Sequence, residues 1–169
     1  MSMLPAPTLI LCLGNEVLSD DGFGPVVASR LRELGIEDDN TEVIFASLAG
    51  FVLIDLLKCR DRVLVVDTIC TGKHPAGTLR KFPFGVFTPS RSLTTSHQIS
   101  LPTAIELGKI LGCTMPAQID VLAVEAEDVE TLQEELTPAV AGAVEDAVEY
   151  IKEWLVAEFK EVENAREYP

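Results

Sequence analysis

Four short apolar runs, at 8–13, 42–46, 63–67 and 119–125, constrain this chain more than any other feature. They are rich in Val, Ile and Leu and lack the in-out alternation of a half-exposed strand, so each is expected to be buried on both faces. Between them lie apolar residues at helical spacing: Val27, Leu31 and Leu34 before Gly35; Phe51, Ile54 and Leu57; Ile105, Gly108 and Leu111 after Ser100 and Pro102. Strands that alternate with helices predict a parallel sheet covered on both sides. The expected fold is α/β in three layers: a mostly parallel, twisted sheet of about five strands, with helices on both faces. A weaker strand over 78–83 carries Arg80, Lys81 and Pro83, which suit an antiparallel edge. The last helix is the clearest, with Thr137 as N-cap, Pro138 at its first position and a stripe of Val140, Val144, Val148, Ile151, Leu155 and Phe159.

At 169 residues and 47% hydrophobic content, the chain reads as one domain over 1–160 with an acidic, frayed tail over 161–169. The formal charge is −14, and residues 125–169 carry −11 of it, 14 acids against 3 Lys and Arg. Such a field disfavours nucleic acid and anionic membrane as partners, and the acids are read as the solvated face of the last helix. No run of about 18 apolar residues and no basic-flanked signal segment is present, so a cytoplasmic location is expected. The 4 Cys, at 12, 59, 70 and 113, form no CxxC pair and are expected to be small core residues.

The chemistry concentrates in the turn after the first run, where Gly14, Asn15, Glu16, Ser19, Asp20, Asp21, Gly22 and Gly24 lead into a helix. The glycines miss the GxGxxG spacing and the acids would repel a pyrophosphate, so dinucleotide and P-loop binding are excluded and a cation is favoured. For Asp20 and Asp21 the plainer reading is capping of the following helix. In a doubly wound sheet the first and third strands are neighbours at the crevice that binds ligands. Glu16, past the end of strand one, and Asp67, at the end of strand three, are therefore expected to face one site. His97 lies in the loop that enters a helix on the same face and supplies a third ligand. His74, beside Pro75, reads as an exposed turn residue.

Taken in order, Gly14-Asn15, Asp20-Asp21-Gly22-x-Gly24, Val65-Val66-Asp67, Ser96-His97-x-x-Ser100-Leu101-Pro102 and Leu136-Thr137-Pro138 resemble the hydrogenase maturation endopeptidases over about residues 8–157. Two departures are Cys12, where many members have glycine, and Thr137, where serine is common. The resemblance implies an enzyme that trims the C-terminal extension from the large-subunit precursor of a nickel-iron hydrogenase after nickel insertion. It places Glu16, Asp67 and His97 at the metal-contacting positions, which double as the catalytic set. Gly14, Asn15, Asp20, Asp21 and Gly22 then form the rim that meets substrate. Nickel is expected to arrive with the substrate and to be contacted transiently, while other divalent cations can occupy the same ligands in vitro. Neither GxSxG nor HExxH occurs, so a metal-polarised carbonyl or metal-bound water, with Glu16 or Asp67 as general base, is the simplest chemistry. The rivals are a non-catalytic chaperone that checks the nickel centre, and a nucleoside phosphorylase-like or peptidyl-tRNA hydrolase-like enzyme. The last two need a phosphate-binding site, which this acidic loop does not offer.

Overall fold

The computed structural model describes residues 4–47, 50–84 and 100–166, with side chains up to residue 157. Five strands, β1 (Thr8–Leu13), β2 (Thr41–Ala46), β3 (Arg62–Ile69), β4 (Leu79–Pro83) and β5 (Gln118–Glu125), form one sheet in the order β2-β1-β3-β5-β4. All neighbours pair parallel except β4, which runs antiparallel to β5 at the edge. The expected three-layer fold is the one observed. Every residue of β1 and of β3 is buried, which is why neither shows a polar alternation in sequence.

The strand period of two divides the core between the two faces. Ile10, Cys12, Leu64, Val66, Leu122 and Val124 pack under α1 (Phe23–Glu33) and, beyond the short α4 (Pro138–Ala141), α5 (Val144–Arg166). Leu9, Leu11, Val63, Val65, Val121 and Ala123 pack under α2 (Phe51–Leu57) and α3 (Leu101–Ile110). The Ser100 hydroxyl caps α3 by accepting the Thr103 N–H, as its place before Leu101-Pro102 suggests.

Several local expectations are corrected. β3 continues past Asp67 to Ile69, because Asp67, Thr68 and Ile69 still pair with Ala123, Val124 and Glu125. The single closing helix is two: α4 ends at Ala141 with Gly142 as its cap, and one tighter bond, from Ala143 N–H to Val140 O, separates it from α5. Cys12 is a core residue, and burial pushes its thiol up to about 12, against the opposing pull of Arg32. Cys59 and Cys70 are exposed, the first in left-handed backbone (φ 61°) after α2 and the second directly after β3. α5 runs to Arg166, and its side chains beyond residue 157 lie outside the described ones. No helix among the described residues is long and apolar enough to cross a membrane.

Candidate functional site

The pairing of β1 with β3 ends at Cys12 and Val66, so Asp67 is the first residue of β3 beyond it. There the chain of β1 turns away through Gly14, whose φ of 146° is open to glycine and whose missing side chain leaves room for the Asp21 carbonyl. β1 lies between β2 and β3, so this is the point where strand order reverses and α/β sheets bind ligands. By strand parity Asp67 shares the face of Val63, Val65 and Ile69, the side covered by α2 and α3.

Asp67 is fully buried. Its Oδ1 accepts the Thr68 N–H at 2.8 Å, while its Oδ2 is the buried side-chain oxygen or nitrogen left without a partner among the described residues. Desolvation pushes the carboxyl up to about 7; the Thr68 amide opposes this and the nearby Asp21 carboxylate adds to it. A buried carboxylate with one orphaned oxygen is stabilised by a proton or a cation. Such an oxygen is chemically suited to hold a metal ion.

The loop that carries Glu16 is closed on itself. Asn15 N–H donates to Asp21 O at 3.0 Å, Leu18 N–H to Asn15 O at 3.3 Å, and Asp21 N–H to Leu18 O at 3.0 Å. The Asn15 Oδ1 accepts the Val17 N–H at 3.1 Å. Glu16 itself is exposed at the loop's tip. An open cleft of about 380 Å³ lies next to it, lined by Val17, Leu132, Gln133, Glu134 and Glu135.

Asp20 and Asp21, expected to cap α1, do other work, and no side chain caps that helix. Asp20 is fully buried. Its carboxylate accepts the N–H groups of Glu127 at 2.8 Å, Asp128 at 2.9 Å and Thr137 at 2.8 Å, plus the Thr137 hydroxyl at 2.9 Å. Thr137 is the residue before α4, but its hydroxyl serves Asp20 rather than its own helix. Asp21 accepts the Thr68 hydroxyl at 3.1 Å, and desolvation raises its carboxyl pKa against the pull of Thr68 and Asn15. Gly22 is buried, with Leu136 and the backbone of Asn15 around it. His74 is exposed in a bend, as expected.

His97 lies outside the described residues. Among those described, no three of His, Cys, Asp and Glu gather to hold a metal ion. Sequence reasoning missed two residues of this region. Thr68 links Asp67 to Asp21, and its signal was a hydroxyl directly after the carboxylate in an apolar run. Glu125 is buried at the end of β5, and its Oε1 accepts the N–H groups of Thr71 at 2.7 Å and Gly72 at 2.8 Å. Like Asp67, it is an acid closing a run of Val, Leu and Ala.

This geometry coincides with a family match: the HycI family model, described as hydrogenase maturation protease, covers residues 25–154. The chain belongs to the hydrogenase maturation protease family. Its curated relatives include the hydrogenase 2 maturation protease of Escherichia coli, 27% identical over 85% of this chain and 87% of that one. The hydrogenase expression/formation protein HupD of Rhodobacter capsulatus is 24% identical over 89% of this chain and 73% of its own. Among solved structures, the hydrogenase maturating endopeptidase HybD of E. coli superposes with a TM-score of 0.76 at 25% identity, covering 89% of this chain and 93% of that chain.

Proposed function

We propose that this protease removes the C-terminal extension of a nickel-iron hydrogenase large-subunit precursor once nickel is in place, and that Glu16, Asp67 and His97 recognise the nickel the substrate carries. The orphaned, buried Asp67 Oδ2 at the strand-order reversal carries the reading, because it is an acceptor built into the crevice without an internal donor. Two carboxylates and an imidazole leave coordination positions free for ligands of the precursor. Held by these residues, the ion would supply polarisation of the scissile carbonyl; Asp67 or Glu16 receives the proton of the attacking water, and the cleft beside Val17 gives the peptide a place to lie. Absence of a phosphate-compatible loop and a formal charge of −14 both argue for a protein substrate rather than a nucleotide.

The test is incubation with nickel-loaded and nickel-free precursor, read by intact mass. Loaded precursor is expected to lose its C-terminal peptide while empty precursor stays whole, and His97→Ala is expected to abolish cleavage with little change in Tm. Unchanged mass with retained binding would make the protein a chaperone that inspects the metal centre, and equal cleavage of both forms would remove nickel from recognition.

A further inference from the structure

Beyond the last β1–β3 pair, the two strand-end segments that carry Glu16 and Asp67 have no ladder to hold them in register. Among the described residues one hydrogen bond crosses between them, from the Thr68 hydroxyl to Asp21 Oδ1 at 3.1 Å. Both residues are buried, so water does not compete for the bond. Each end is also wired to a proposed ligand. Thr68 donates its N–H to Asp67 Oδ1 at 2.8 Å, fixing which carboxylate oxygen remains free. Asp21 closes the loop around Glu16 through its carbonyl, which accepts the Asn15 N–H, and through its own N–H, which donates to Leu18 O.

We infer that the Asp21–Thr68 bond is a positioning bridge that sets the spacing and aim of Glu16 and Asp67. This rests on the proposed function and names residues that act through the ligands rather than on the substrate. Thr68 points its side chain to the α1 face while its amide serves the carboxylate on the opposite face, so one residue couples the two layers at the crevice. A hydrogen bond from a hydroxyl to a carboxylate is directional, and a misplacement of about 1 Å between two contacting groups costs on the order of a hundredfold in a positioned reaction.

Thr68→Val keeps the β-branched shape and removes the donor, and Thr68→Ser restores it. Thr68→Val is expected to lower kcat/KM on nickel-loaded precursor at least roughly tenfold and to bring the loaded-to-empty binding ratio toward one. Thr68→Ser is expected to recover both to within about threefold. Ile151→Val, a core truncation away from the crevice, supplies the control for lost stability and is expected to keep the binding ratio. Amide exchange at Leu18 and Asp21 is expected to speed up in Thr68→Val. The bridge is overturned if Thr68→Val keeps the wild-type binding ratio while Glu16→Ala and Asp67→Ala lose it, or if Thr68→Ser fails to rescue. Wild-type protein that neither cleaves nor prefers loaded precursor overturns the proposed function and the bridge with it.

Discussion

Asp67 shows how one side chain trades stability for chemistry. Its ordinary carboxyl value of 3.8 is raised to about 7, chiefly by desolvation. Between those values the folded, metal-free protein holds a proton that the unfolded chain has released, so this residue's contribution to stability is complete below pH 4 and is lost as pH rises through 7. Asn cannot ionise and still accepts the Thr68 N–H. Asp67→Asn is therefore expected to match the wild type near pH 4 and to exceed its unfolding free energy at pH 8 by about 1–3 kcal/mol, measured by urea titration in chelator, while losing activity. A mutant less stable than wild type at pH 8, or a difference independent of pH, would refute this account. On the proposed function the same charge would favour a cation, since contact with an ion favours the form that burial disfavours.

At the junction of β1 with α1 helix and strand backbones meet directly. A side chain at Gly24 would run into the Leu13 carbonyl, with the Leu13 carbonyl carbon only 2.9 Å from its Cβ, so the helix rests on the strand end because nothing intervenes. Gly24→Ala is expected to cost about 2–4 kcal/mol in thermal or urea unfolding and to impair cleavage by moving the Glu16 loop. At the far edge, the backbone of β2 is closed by side chains: Glu37 accepts the Val43 N–H at 3.0 Å and Arg32 donates to Val43 O at 2.9 Å. These groups leave a template strand nothing to pair with at that residue. The strands, the helices and the place of Asp67 beside the end of β1 were legible because burial on two faces leaves an unbroken apolar run and because parallel topology dictates which strands are neighbours. Thr68 and Asp20 were not legible in their roles. Hydrogen bonds that span 47 and 107 residues leave no local periodicity, and an acid before a helix looks the same whether it caps that helix or a distant one.

At the scale of the whole molecule, the acids of the C-terminal third divide into two uses. Glu145 and Glu149 are exposed and pair with Arg30 and Lys152, contributing solubility and little stability. Glu125, in contrast, is buried and ties the segment after β3 to the end of β5. Asp20 performs the reverse operation, as an N-terminal acid that gathers the C-terminal third. Replacing it with Ala would leave the part-buried hydrogen bonds from the N–H groups of Glu127, Asp128 and Thr137 without their acceptor. Asp20→Ala is expected to cost about 3–5 kcal/mol, well above the roughly 1 kcal/mol of a helix cap, measured as a shift in the urea midpoint. A loss near 1 kcal/mol would return Asp20 to an ordinary capping role.

The same carboxylate sets a timetable for synthesis. The Glu16 loop is complete only when Thr137, 117 residues downstream, has closed on Asp20. A ribosome delivers the chain from its N-terminus, so the half that carries Glu16 and Asp67 leaves the exit tunnel well before the segment that locks the loop in shape. During that interval Glu16 and Asp67 have been made, but the loop that carries Glu16 lacks its Thr137 brace. On the proposed function, competence to cut is expected only after the C-terminal third has docked on Asp20, so a copy truncated before Thr137 would keep the acids without the braced loop.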